Sequence, residues 1–316
     1  MLEINAIGKY SCSTLPIFPD FEALTINHKV VINTFTSFLP NYSDFNFFSM
    51  FTYNVNDGVN ISSINGNLVV KFYDYLTSKP FYTFLGTNKV EETVLTLTTL
   101  SLQDGLEPTL KLIPEINVDS KLKTLRKTYE VTEDPDNFDY ICSTEGLGAL
   151  SGGTYRSQKN MVNKLLKTTP RISTHFIESI AQHQDSIMEL FNRWLLWKNR
   201  DHFEDHETER QAILKAIKYS ETFDLLNLLV YEDSKLIGFF ITDIDNGRAT
   251  TSFTKADPAY PGLSTYLFNI TARELFKKGF NEMNLEQDLG IPGLRQAKRS
   301  WNPVGYLKKY IIRTKS

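Results

Sequence analysis

The chain has 316 residues, of which 41% are hydrophobic and 22% charged, and its net charge is only -3. That length exceeds one compact core and suits two domains. The charge excludes a bulk electrostatic drive toward DNA or an anionic bilayer, so no DNA partner is expected and membrane contact is at most peripheral.

In chain order, a helix is expected over 27–39, ended by Pro40, and a short aromatic helix over 44–51. Strands over 59–63 and 68–73 flank Asn65-Gly66-Asn67, a hairpin signal. A strand over 81–85, a helix over 88–102 and a strand over 109–112 follow, then a helix over 121–126 and a strand over 128–131. After the turn-rich break at 133–137 come a strand over 138–142 and a short helix over 143–150. The next helix, 155–167, carries Tyr155, Val162 and Leu166 on one stripe and is closed by Pro170. Helices over 184–200 and 207–217 lead into a hairpin of strands 226–231 and 236–241 about Asp233-Ser234. A strand over 249–253, a helix over 261–278, a strand over 282–285, a short helix and a last strand over 310–313 complete the chain.

This order of elements resembles the GCN5-related N-acetyltransferase fold, clearly in one half and more loosely in the other. The expected class is therefore α/β (α+β), with two tandem acetyltransferase-like domains, each a mixed twisted sheet flanked by helices. The expected domains are residues 1–150 and 151–316, with the site in the second.

Two motifs are similar to those of the phosphatidylglycerol lysyltransferase C-terminal domain. One is Leu150-Ser151-Gly152 followed by a helix bearing Lys159, Asn160 and Lys164. The other is Gly293-Leu294-Arg295, Lys298, Pro303 and Tyr310, preceded by Glu286-Gln287-Asp288-Leu289-Gly290. The resemblance spans nearly the whole chain. It implies an acyl- or aminoacyltransferase whose donor is either aminoacyl-tRNA, as in the relatives, or a small molecule, with the acceptor amine or hydroxyl left open. An acyl-CoA-dependent N-acyltransferase and a non-catalytic binding protein on the same fold are the rivals. Relatives usually carry a membrane domain upstream of this region; none is visible here, which puts phosphatidylglycerol as acceptor in doubt.

Glu286 and Asp288 lie two apart at a strand end, so both point to one face. Mutual repulsion would let one of them hold its proton to higher pH, which suits a general base; alternatively Asp288 caps the turn and Glu286 pairs with Arg295 or Lys298. Arg295 and Lys298 share a helix face that could hold a phosphate or carboxylate. Lys159 falls on the apolar stripe of its helix and could serve an oxyanion or a tRNA phosphate, beside Asn160. Glu274 falls on the stripe of Leu263, Tyr266, Leu267 and Ile270 and could bind an amine, or mark where the helix leaves the core.

The loop Lys255-Ala-Asp-Pro-Ala-Tyr-Pro-Gly262 stands where acetyltransferases cradle a pyrophosphate. Two prolines remove amide donors and Asp257 would repel the anion, which argues against ordinary acetyl-CoA binding. His202 and His206 are four apart but lack the His-Glu-x-x-His pattern, so no metal is expected. Cys12 and Cys142 match no metal or redox spacing and read as core residues of a reducing compartment. The N-terminus shows no secretory signal and no run approaches the ~18 apolar residues of a membrane span, so a cytoplasmic location is expected.

Overall fold

A computed structural model describes residues 15–198 and 206–315. In chain order its elements are β1 (Glu22–Ala23), α1 (Lys29–Thr36), α2 (Phe47–Tyr53), β2 (Asn60–Ile64), β3 (Asn67–Tyr73), β4 (Pro80–Leu85), α3 (Val90–Gln103), β5 (Thr109–Pro114), α4 (Glu115–Val118), α5 (Leu122–Thr128), β6 (Tyr129–Glu133), β7 (Asp139–Ser143), α6 (Thr144–Ala149) and α7 (Arg156–Thr168). They continue as β8 (Ile172–Ile177), α8 (Gln184–Lys198), α9 (Glu207–Lys218), β9 (Leu225–Glu232), β10 (Lys235–Asp245), β11 (Arg248–Ala256), α10 (Leu263–Lys277), β12 (Glu282–Asn284), α11 (Pro292–Ser300), β13 (Gly305–Leu307) and β14 (Lys309–Thr314). Two mixed sheets flanked by helices result, as the acetyltransferase-like reading expects. No helix among the described residues is long and apolar enough to cross a membrane.

The contacts divide the chain into two units. The first holds residues up to Pro40, Asp44–Asp134 and the chain from Lys308; the second holds Asn41–Ser43 and Pro135–Leu307. The boundary read at 150/151 therefore falls inside the second unit. The reason is pairing: β7, which precedes that boundary, hydrogen-bonds to β12 and β13.

The first sheet has the order β1-β2-β3-β4-β5-β14-β6. The β2–β3 hairpin closes through Asn65 and Gly66, both at positive φ (54° and 78°), the two-residue turn that the sequence signals. Val69, Phe84, Val94, Leu97, Ile113 and Ile312 lie in its core. β14 brings Lys309 into this unit, where its ammonium meets the Asp44 carboxylate and both side chains are fully buried. Tyr75 donates its hydroxyl to the same carboxylate at 2.8 Å.

The second sheet has the order β13-β7-β12-β11-β10-β9-β8. On one face, Leu228 and Phe240 pack with Leu267 and Leu275 of α10, together with Met283 and Trp301. On α8, Ile187, Leu190 and Phe191 are buried. The edge strand β8 is not foreseen from sequence. Its residues Ile172-Ser-Thr-His-Phe-Ile177 are partly exposed and show no clean alternation, because one side of the strand has no neighbour.

In each sheet all pairings are antiparallel except one, β4–β5 in the first and β11–β12 in the second. β11 pairs with β12 only at Ala249↔Met283 and Thr250↔Asn284. From Thr251 on the two strands part, leaving a wedge on the carboxyl side of β12.

Breaking a buried ion pair by removing one partner strands the other charge. Lys309→Met is expected to destabilise the protein by about 3–5 kcal/mol, and Lys309→Met/Asp44→Asn to recover part of that loss. Urea unfolding of both variants checks this; a single-variant cost below ~1 kcal/mol would show that the pair is not needed.

Candidate functional site

The wedge is floored by a buried polar network. Asn284, the last residue of β12, donates through Nδ2 to the Asn41 carbonyl (2.7 Å) and to Asp139 Oδ2 (3.2 Å). Its Oδ1 accepts the Glu286 N–H at 2.7 Å. Asp139, fully buried on β7, also accepts from the Ser43 N–H (2.7 Å) and hydroxyl (2.6 Å). Asn41 reaches Thr250 Oγ1 at 2.7 Å, and Thr251 Oγ1 donates to the Asn284 carbonyl at 3.1 Å. Buried polar groups of this kind must be satisfied, and here the partners fix the end of β12. None of these four anchors — Asn41, Ser43, Asp139, Asn284 — stands out in the sequence. Each is an ordinary polar residue, and only the fold brings 41, 139 and 284 together.

The chain leaving β12 turns sharply. Glu286 (φ 58°), Leu289 (φ 56°) and Gly290 (φ 72°) are all left-handed. Gly290 has a packing reason as well, since a Cβ there would come within 2.9 Å of Asp136 Oδ2. For Glu286 and Leu289 the conformation costs of order 1 kcal/mol each and persists only where surroundings impose it.

Asp288 is the centre of this turn. Its carboxylate is fully buried and accepts four hydrogen bonds: the Tyr140 hydroxyl (2.5 Å), the Gly290 N–H (2.8 Å), and Arg295 through Nε (2.9 Å) and a terminal nitrogen (2.8 Å). Burial pushes its pKa up, but Arg295, Tyr140 and the Gly290 N–H outweigh burial and hold it below the usual carboxylate range. The expectation that repulsion from Glu286 raises one of the two is therefore reversed for Asp288, because its neighbours are donors. The Tyr140 hydroxyl is raised in turn, by burial and then by the bond to Asp288.

Arg295 and Lys298 lie on α11, as foreseen, and close onto the turn. Arg295 pairs with Asp136 (2.5 Å) as well as Asp288. Lys298 Nζ donates to the Leu285 and Gln287 carbonyls, each at 2.5 Å. These bonds tie the helix to the loop. Glu286 is half-buried, two residues past the end of β12.

The other candidates are placed elsewhere. The buried stripe of α7 is Gln158, Val162 and Leu165, so Lys159 faces out with Asn160, and Leu166 is 40% exposed. The Tyr155–Val162–Leu166 stripe read from sequence is one position off, because Gln158 turns inward to donate to the Ser300 carbonyl at 2.5 Å. Glu274 lies 3.9 Å from both Lys277 and Lys278, one turn further along the chain. Burial pushes the Cys142 thiol up to about 12, which makes it an inert core group. Cys12 and His202 lie outside the described residues.

The turn before α10 is poor in available amides. Pro258 and Pro261 have no N–H. The amides of Ala259, Tyr260 and Leu263 go to Asp257 Oδ1, the Asp257 carbonyl and the Tyr260 carbonyl. Gly262 adopts φ 93°, and a Cβ on it would stand 2.7 Å from the Met161 carbonyl of α7. Asp257 is buried and paired with Arg193 (3.1 Å) and Lys235 (3.0 Å). Burial raises its pKa and Lys235, the Ala259 amide and Arg193 lower it, with a net depression that keeps it anionic.

A family model described as phosphatidylglycerol lysyltransferase, C-terminal, matches residues 48–313. A comparison with curated proteins found no significant match. Among solved structures, a conserved protein of unknown function from Bacteroides thetaiotaomicron is similar with TM-score 0.82 and 22% identity, over 96% of this chain and 100% of that one. The C-terminal domain of a putative lysylphosphatidylglycerol synthetase from Agrobacterium fabrum is similar with TM-score 0.62 and 12% identity, over 92% and 93%. The L-PGS structure from Bacillus licheniformis is similar with TM-score 0.60 and 13% identity, over 96% and 95%.

Arg295→Ala leaves the Asp288 charge buried with two donors fewer and is expected to cost about 3 kcal/mol or more. Because the Asp288 pKa is depressed, its stabilisation is complete above its ordinary value near pH 4 and is lost as pH falls through the lower, folded value. The stability gap between wild type and Asp288→Asn should therefore narrow as the pH falls below about 4. Chemical unfolding across pH tests this; a gap that widens on acidification contradicts it.

Proposed function

The chain belongs to the phosphatidylglycerol lysyltransferase C-terminal family, and on that premise we propose that it is an aminoacyltransferase. Its donor is aminoacyl-tRNA and its acceptor an amine or a hydroxyl. The observation that carries this choice over an acyl-CoA enzyme is the turn before α10. Pro258 and Pro261 supply no amide, those of Ala259, Tyr260 and Leu263 are used internally, the Met161 carbonyl stands close to Gly262, and the buried Asp257 stays anionic there. A coenzyme pyrophosphate would meet an acceptor-rich surface in place of a ring of donors.

In the reaction, the acceptor nitrogen or oxygen attacks the ester carbonyl of the donor. A new N–C or O–C bond forms and the ester C–O bond breaks. Glu286 takes the acceptor's proton and returns it to the ribose oxygen that leaves. The imposed left-handed backbone at Glu286 supports this role, since such strain collects at functional positions. Asp288, Arg295 and Lys298 act as positioning residues, which hold the turn that presents Glu286. Much of the rate then comes from orientation of donor and acceptor beside the wedge.

Transfer of radiolabelled amino acid from a charged tRNA pool to phosphatidylglycerol vesicles or to short amine-bearing peptides is the assay. Glu286→Gln is expected to lower kcat about 100-fold or more without lowering Tm. Acetyl-CoA and a long-chain acyl-CoA at millimolar concentration are expected to leave Tm unchanged. A raised Tm with acyl-CoA, or full kcat in Glu286→Gln, overturns the reading.

A further inference from the structure

Charge is distributed unevenly in the second unit. Residues 146–177 contain no Asp or Glu but five cations: Arg156, Lys159, Lys164, Lys167 and Arg171. Four of them lie on α7, and all four are exposed. No described carboxylate pairs with any of these four. Elsewhere in the unit, cations do find partners: Arg171 with Asp233, Arg193 and Lys235 with Asp257, Lys255 with Glu209, Arg295 with Asp288. At 3.6 residues per turn, Arg156, Lys159, Lys164 and Lys167 fall within an arc of roughly 140°, together with Asn160 and Asn163. Val162 and Leu165 occupy the opposite, buried side.

The ridge borders the candidate site. Gln158 donates to the Ser300 carbonyl and the Tyr155 hydroxyl to the Trp301 carbonyl at 3.4 Å, so α7 lies against the end of α11. Arg299 is exposed on that end and adds a fifth cation. From Arg156 to Lys167 the row spans about 16 Å at 1.5 Å per residue, long enough to meet several consecutive phosphates.

We propose that the exposed face of α7 is an RNA-binding ridge that receives the sugar-phosphate backbone of the donor tRNA and leads its acylated end toward the wedge. The proposal rests on the aminoacyl-tRNA reading above and names the surface that reading requires. RNA fits this face better than a bilayer does. Val162 and Leu165 are already buried in the protein's own core, and the apolar residues left exposed, Met161 and Leu166, stand on opposite flanks of the ridge and form no single face to insert between lipids. Its outward residues are cations interleaved with Asn160, Asn163 and Ser157, which can donate to phosphate and sugar oxygens, and none is aromatic. Unpaired cations are also the ones able to release counterions from a polyanion at no cost in broken ion pairs.

The test uses the full chain, a fluorescein-labelled tRNA transcript, and vesicles of equal parts phosphatidylglycerol and phosphatidylcholine. Anisotropy titrations over a salt series give the slope of log Kd against log salt. The variant Lys159→Gln/Lys164→Gln/Lys167→Gln is expected to bind the transcript at least 10-fold more weakly near 0.1 M salt. Its slope should fall by about 2 to 3, close to one per lost phosphate contact. The control Lys121→Gln/Lys123→Gln/Lys127→Gln removes the same charge from the first unit and should bind nearly as wild type. Equal binding by the α7 variant and wild type overturns the proposal, as does an equal loss in the control. So does a wild-type protein that ignores the transcript but floats with vesicles through the same lysines. Glu286→Gln separates this proposal from the transferase reading: it should keep tRNA binding while losing transfer. A wild type that binds tRNA through α7 yet transfers nothing retains the ridge and overturns the reaction.

Discussion

A carboxylate taken out of water must be met by donors wherever it can accept one, and Asp288 obeys that constraint. Tyr140 from β7, the Gly290 amide of its own turn and two nitrogens of Arg295 from α11 converge on two oxygens. Three separated stretches of chain are thereby committed to one geometry. The turn after β12 cannot relax, α11 cannot roll away, and the left-handed conformation at Glu286 is imposed from both sides. Lys298 completes the arrangement by holding the carbonyls of Leu285 and Gln287. The charges that look from sequence like a waiting anion site are spent on holding a loop in shape. What they hold in place is the end of β12, where it parts from β11.

The order of helices and strands was legible because period and punctuation are local properties. Asn65-Gly66 turns the hairpin it signals, and the grouping of Glu286, Asp288, Arg295 and Lys298 follows from strand, turn and helix in immediate succession. Three things were not legible. The phase of α7 was read one position off, because a buried glutamine bonded to a carbonyl mimics a polar surface position in a hydrophobic pattern. The sign of the Asp288 shift depends on Tyr140, some 150 positions away in the chain, which no spacing rule reports. The anchors Asn41, Ser43 and Asp139 owe their importance entirely to tertiary pairing. Sequence locates charges well, and it is weak at saying which of them are already satisfied.

That distinction also orders the surfaces of the second unit. Asp257 looked like a residue placed to repel a cofactor; it is a buried ion whose charge is already met by Arg193 and Lys235. The lysines of α7 looked like plain surface or a single held cation; they are exposed, and no described carboxylate pairs with them.

The two sheets share a further property of connectivity. In the first, the place between β5 and β6 is taken by β14; in the second, the place between β12 and β13 is taken by β7. Each of these strands follows, in sequence, the edge strand of the other sheet. The first sheet therefore stays open along β5 and β6 until Lys309–Thr314 exist, and Asp44 waits as long for Lys309. An amino-terminal unit would ordinarily fold while the rest of the chain is still being synthesised. Here neither sheet can finish early, contacts are very long-range, and unpaired strand edges persist meanwhile. Completion of both sheets therefore waits on the chain from Gly305 onward, which supplies β13 to one and β14 to the other.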